Sequence, residues 1–120
     1  GFLIFLGIYE EDTEEKIEKL TKKIVNLRIF NDENDKMNLS IKDIKGEILL
    51  ISEFTLCADT RKGNRPSFIM AKEPNDANVI YEKTIESIRN EGIIVEKGIF
   101  GADMKVELLN DGPVTILLDI

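Results

Sequence analysis

Histidine and tryptophan are absent from these 120 residues, cysteine occurs once and proline three times. Without histidine the chain can build no imidazole acid–base pair, no imidazole metal site and no Ser-His-Asp constellation. The single thiol, Cys57, excludes an internal disulfide framework and a four-cysteine zinc site, and it suits a reducing cytosol. Long apolar runs are lacking too. No stretch approaches the ~20 residues needed to cross a bilayer, so the sequence predicts a soluble, cytoplasmic chain with no membrane role. The apolar opening, Gly1 to Ile8, has no basic residues before it and no small-residue cleavage site after it, and reads as a strand rather than a secretory leader. Basic residues are the minority, 16 against 23 acidic ones for a net charge of −7. Bulk charge therefore does not point to nucleic acid.

What is present fits one α+β domain spanning residues 1–120. Gly1 to Ile8 is apolar throughout, which predicts a central strand covered on both faces. Asp12-Thr13-Glu14-Glu15 predicts a helix start, with Asp12 as cap and Glu15 closing a capping box. The helix should run to about Leu27 with Ile17, Leu20, Ile24 and Leu27 on its inner stripe and Glu14, Glu18, Lys19, Lys22 and Lys23 in solvent. Arg28-Ile29-Phe30 reads as a short strand. Asn31 to Lys36 reads as a polar turn whose acids lack the glycine and closing glutamate of an EF-hand, so no metal is expected. Gly46 to Ile51 is a second buried strand. A second helix is expected from Pro74-Asn75-Asp76, burying Ala77, Ile80, Tyr81, Thr84, Ile85 and Ile88 and stopping at Gly92. Ile93-Ile94-Val95, Met104 to Leu109 and Val114 to Leu118 complete a mainly antiparallel or mixed sheet with the helices outside.

Three places offer chemistry. Ser52-Glu53-Phe54-Thr55 sets two hydroxyls and a carboxylate at a strand end, where a rigid element can present them to a pocket; a plain strand terminus accounts for the same residues. Alternation there puts Ser52 and Phe54 on one face and Glu53 and Thr55 on the other. Thr55 is a weak nucleophile without an activating base. Arg61, Lys62 and Arg65, in an exposed loop from Ala58 to Pro66, could meet an anion or simply be solvated, and Lys72 lies just beyond. Asn110-Asp111-Gly112-Pro113 is either a hairpin turn or, since X-Pro bonds reach the cis state readily, a device that aims two successive carbonyl oxygens to one side.

Ser52-Glu53-Phe54-Thr55-Leu56, Arg65-Pro66-Ser67-Phe68, Phe100-Gly101-Ala102-Asp103-Met104 and Asn110-Asp111-Gly112-Pro113-Val114-Thr115, together with Lys36-Met37-Asn38-Leu39-Ser40, resemble the motifs of the D-aminoacyl-tRNA deacylases. They stand in that family's order and spacing, and the resemblance covers essentially the whole chain. It implies a homodimer of small β-barrel-like α+β subunits, with active sites at the subunit interface. The implied reaction is hydrolysis of the ester joining a D-amino acid, or glycine, to the 3′ end of tRNA, a proofreading step that needs no cofactor.

The resemblance also implies roles. Gly112 and Pro113, with a cis bond between them, would enter the other subunit's pocket as a chirality filter. Ser52, Glu53, Phe54 and Thr55 would form the catalytic shelf for the aminoacyl group and terminal ribose. Phe100, Gly101 and Met104 would hold the terminal adenosine, Phe100 and Met104 by apolar contact and Gly101 by letting the backbone come close, with Ala77 a small position beside that pocket. Arg61, Lys62, Arg65 and Lys72 would supply a local patch for phosphate. Hydrolysis would then rest on positioning and backbone donors, with the tRNA 2′-hydroxyl helping to activate water; a covalent route through Thr55 is the competing mechanism. Two departures from the family stand out. Glu53 replaces the family's glutamine, exchanging a group that donates and accepts for one that, ionised, only accepts. Family members also carry two strands ahead of the position of Gly1, which would complete the barrel and add a basic residue near the nucleotide; an open sheet edge is expected here. These departures keep a second reading alive, a noncatalytic dimeric module that binds the aminoacyl-adenosine end.

Overall fold

The computed structural model describes residues 1–120. Eight elements follow in chain order: β1 (Phe2–Leu6), α1 (Glu15–Asn26), β2 (Phe30–Asn31), β3 (Met37–Leu39), β4 (Ile48–Ser52), a 3-10 turn (Phe54–Cys57), α2 (Pro74–Asn90) and β5 (Val95–Lys97). The principal sheet is parallel throughout, in the order β1-β4-β5. β2 and β3 pair separately as an antiparallel hairpin. The chain is thus α+β with mixed pairing and two helices, and no barrel closes.

Both helices follow from their sequence periods. On α1, Ile17 and Ile24 are buried as expected, but Thr21 and Val25 complete the buried face, while Leu20 is only half-buried at the edge of the core and Leu27 lies past the helix end; Glu14, Glu18, Lys19, Lys22 and Lys23 are exposed. α2 buries Ala77, Ile80, Tyr81, Thr84, Ile85 and Ile88, the six expected residues. The stripes of both helices meet Ile48 and Leu50 of β4 and Val95 of β5 in one apolar core, against which Phe2, Ile4 and Leu6 of β1 pack. Thr21 donates to Ser87 at 2.8 Å where the helices face each other. Gly92, at φ +85°, turns the chain after α2, a backbone state that glycine enters without a Cβ penalty.

Several expectations are corrected. β4 is the central strand; β1 pairs on one side only and is an edge, with Phe5 exposed. An apolar run reports burial of side chains, and it cannot say how many strands flank it. Asp12 does not cap α1: its carboxylate accepts from the Tyr9 amide at 2.7 Å and from Lys16 at 2.7 Å, and the helix begins after Glu14 without a side-chain cap. The reciprocal box occurs elsewhere, between Ser40 and Asp43, each side chain accepting from the other's backbone amide at 2.8 and 3.2 Å. The short strand expected at Arg28-Ile29-Phe30 begins only at Phe30. The segments Met104 to Leu109 and Val114 to Leu118 form no strand, and beyond Ala102 there is no backbone–backbone hydrogen bond. A strand exists only with a partner, and alternation along one segment does not supply one.

Candidate functional site

β4 ends at Ser52 beside Leu6 of β1, and the Glu53 amide donates to the Leu6 carbonyl at 2.9 Å. The chain then tightens into the 3-10 turn, so the alternation expected for Ser52 to Thr55 does not hold beyond Ser52. Gly7 permits this close approach: a Cβ there would lie 2.8 Å from Leu56 Cβ and 3.3 Å from the Cys57 sulfur. Cys57 is fully buried under the turn, and burial, followed by the acids Asp12 and Glu11, raises its thiol pKa. Phe54 and Thr55 are thereby pushed outward and are exposed, while Ser52 and Glu53 are half-buried. The side-chain oxygens of Ser52, Glu53 and Thr55 make no hydrogen bond within the chain, so three polar groups on a rigid shelf are free for another molecule.

One neighbour of this shelf was not singled out as a site residue by the sequence. Phe68 meets the Phe54 ring edge-on at 5.0 Å. It is carried there by the antiparallel bridge between Asp59 and Ser67, whose amides and carbonyls exchange bonds of 2.7 and 2.9 Å. The only signal was the position of Phe68 in the Arg65-Pro66-Ser67-Phe68 motif.

The bridge also closes the basic loop. Asp59 takes two side-chain bonds from Arg61, each 2.9 Å, and a third from its amide at 3.1 Å, which holds the carboxyl down at about 2. Lys72 donates to the Glu10 carbonyl at 2.9 Å. Of the four basic candidates, Arg61 and Lys72 are already engaged; Lys62 and Arg65 project with no partner within the chain.

Phe100 packs on Tyr81 of α2 with ring centres 5.9 Å apart. Tyr81 is buried and donates to the Leu50 carbonyl of β4 at 2.8 Å. Met104 comes back over Gly98 toward Ile51, the residue before Ser52. Ala77 is buried in the first turn of α2, where the Glu73 carboxylate caps the Asn75 and Asp76 amides at 3.1 Å each. Gly101 turns at φ +77° with open space where its Cβ would be, so its glycine serves the turn rather than a close approach within this chain. Gly112 and Pro113 are joined by a cis bond. Their loop is not a hairpin, since no strand flanks it; instead Asn110 closes it, accepting from the Val114 amide at 3.0 Å and donating to Thr115 at 3.1 Å. No hydrogen bond links this exposed loop to the Ser52 to Thr55 shelf of the same chain.

The family model described as D-Tyr-tRNA(Tyr) deacylase matches residues 1–119. The chain belongs to that family. A D-aminoacyl-tRNA deacylase of Clostridium botulinum (strain Loch Maree / Type A3) is 58% identical over 119 residues, covering 99% of this chain and 80% of its own length. The protein of the same name from Thermodesulfovibrio yellowstonii is 54% identical, covering 99% of this chain and 82% of its own. Among solved structures, the c-Myc DNA Unwinding Element Binding Protein superposes with a TM-score of 0.89 at 41% identity, over 97% of this chain and 79% of that one. A probable eukaryotic D-amino acid tRNA deacylase shares the fold, with a TM-score of 0.71 at 15% identity over 86% of this chain and 76% of its own. No helix is long and apolar enough to cross a membrane.

Proposed function

We infer that the chain hydrolyses the ester of D-aminoacyl-tRNA, releasing the amino acid and the tRNA, as the name of its curated relatives states for them. The carrying observation is identity above one half, over nearly the whole chain, to proteins of that name. Glycine esterified to tRNA belongs to the same substrate class, because a filter that works by excluding a side chain has nothing to exclude in it. The proposed reaction takes place in the cytoplasm and requires neither cofactor nor metal.

In this reading Ser52, Phe54 and Thr55 receive the aminoacyl group and terminal ribose, while Phe100 and Met104 contact the terminal adenosine, with Gly101 and Ala77 beside them. Positioning of the ester, with backbone donors near the shelf, supplies the rate enhancement. The absence of any hydrogen-bonded base on Thr55 favours water over a threonine nucleophile. Gly112 and Pro113 form the chirality filter and act in the pocket of a second subunit. The exposed apolar row Leu108, Leu109, Ile116 and Leu117, on a segment without ladder hydrogen bonds, supports a homodimer. Lys62 and Arg65 contact phosphate near the acceptor end, while Arg61 is paired with Asp59.

The test is hydrolysis of D-tyrosyl-tRNA and L-tyrosyl-tRNA, with Gly112→Ala alongside. Gly112 sits at φ +129°, and a Cβ there would lie 2.8 Å from the Val114 side chain, so alanine must reshape the loop. The expected outcome is cleavage of the D ester alone and reduced discrimination in the variant. Tight binding of a D-aminoacyl-adenosine analogue without turnover would instead support the noncatalytic module.

A further inference from the structure

At Gly98, as at Gly7 and Gly46, a side chain from elsewhere occupies the place of the missing one, and here that side chain is Met104. Gly98 follows β5 directly and does not adopt a positive φ, so its backbone makes no demand for glycine. The demand is spatial. A Cβ on Gly98 would stand 2.5 Å from the Met104 sulfur, 3.6 Å from the Met104 methyl and 3.2 Å from Ile51 Cδ1. The thioether therefore lies in the volume that any other residue at 98 would claim. Ile51 forms the other wall, and the next residue along β4 is Ser52.

The same place is braced from the core side. Tyr81 is anchored to the Leu50 carbonyl, and its ring supports Phe100. Burial is the largest cause raising the Tyr81 pKa, in keeping with a ring enclosed by the core. Two apolar groups from the irregular segment after β5 are thus held by two different contacts, a tilted ring contact with Tyr81 of α2 for Phe100 and a vacated side-chain position beside β4 for Met104. Met104 has three rotatable bonds and does not position itself.

We propose that Gly98 is a positioning residue for substrate binding, whose absent side chain seats Met104 in the orientation that contacts the terminal adenosine. This deepens, and rests on, the reading of Phe100 and Met104 as the adenosine contacts. Gly98 touches neither substrate nor reacting atoms; it acts through Met104. Because the displaced atoms are the ends of flexible side chains, Gly98→Ala should fold and move Met104 rather than break the sheet.

A double-mutant cycle on the full chain tests this, with Gly98→Ala, Met104→Ala and their combination compared for kcat and KM on D-tyrosyl-tRNA. The methyl resonance of Met104 is followed by NMR and identified by its loss in Met104→Ala. The expected result is a displaced Met104 methyl in Gly98→Ala and a KM raised about tenfold with kcat within about twofold, the pattern of lost binding. The combination should be no worse than Met104→Ala alone, since the two changes remove one contact. Additive effects on KM, an unmoved methyl, or an unchanged KM in Gly98→Ala while Met104→Ala raises it would each overturn the role of Gly98 and leave the adenosine reading standing. An unchanged KM in Met104→Ala would overturn the adenosine reading and the proposal with it. If Gly98→Ala fails to fold, Met104→Ala in that background should restore folding by vacating the contested volume, and failure to restore it would count against the seat.

Discussion

The carboxylate of Glu53 stands on the candidate shelf without a hydrogen bond or an ion pair, half-exposed, at the position where the resemblance expects glutamine. Nothing in the fold therefore depends on its charge. Glu53→Gln should leave stability unchanged, and in a deacylation assay it should keep or raise the rate on D-tyrosyl-tRNA, because an amide adds a donor that an ionised carboxylate lacks. A loss of more than about tenfold would assign the carboxylate its own part in the reaction. Thr55 is a companion case: its hydroxyl has no base within hydrogen-bond reach, in keeping with a mechanism that positions water instead of forming an acyl-enzyme.

At the scale of elements, the loop between Asp59 and Ser67 shows how pairing reassigns charges that look equivalent in sequence. Arg61 is spent on Asp59 through two side-chain bonds, so reversing it would unpair a carboxylate as well as remove a cation. Lys62 and Arg65 carry the free positive charge. Reversal of both to glutamate should weaken tRNA binding by about tenfold or more at low salt and flatten its dependence on salt concentration, since fewer counterions are released. Binding isotherms at several salt concentrations read both effects, and an unchanged slope would remove the loop from the interface. The hairpin of β2 and β3 is organised in a comparable way. Asp32 accepts from the Asn34 and Lys36 amides at 2.8 and 3.1 Å, and from Asn38 at 3.1 Å, and these bonds hold its pKa down. Asp32 thus organises the turn.

For the whole molecule, the unpaired region after Ala102 is the decisive feature. Leu109 is 93% exposed and Leu117 86%, the two most exposed large apolar side chains of the chain. Apolar groups on an unpaired extended segment are stabilised by a second surface. If the proposed homodimer is built on this segment, Leu109→Asp together with Leu117→Asp should dissociate it into monomers, as read by light scattering across a range of concentrations. Deacylation should fall with it if the Gly112-Pro113 loop works in the partner's pocket. A wild-type chain that remains monomeric at every concentration would remove the shared-site reading.

The sequence by itself determined both helices, the apolar identity of β1 and β4, and the order of the motifs that carry the family resemblance. Helices are legible because their periodicity is local: six of α2's inward positions could be read from spacing alone, and Gly92 marked the stop. Tertiary structure alone decided that β4 rather than β1 is central, that the sheet is parallel, and that the C-terminal segments find no ladder within the chain. Each of those depends on which distant segment supplies the partner. The same division runs through the site. Ser52, Phe54 and Thr55 were visible as polar and aromatic residues closing an apolar strand, but the 3-10 turn that turns Phe54 and Thr55 outward, the arrival of Phe68, the capture of Arg61 by Asp59 and the seating of Met104 over Gly98 are contacts between residues distant along the chain or set by local turn geometry. Patterning reports what a side chain is. Only packing in three dimensions reports what it faces, because burial, charge pairing and excluded volume are properties of neighbours that sequence distance does not define.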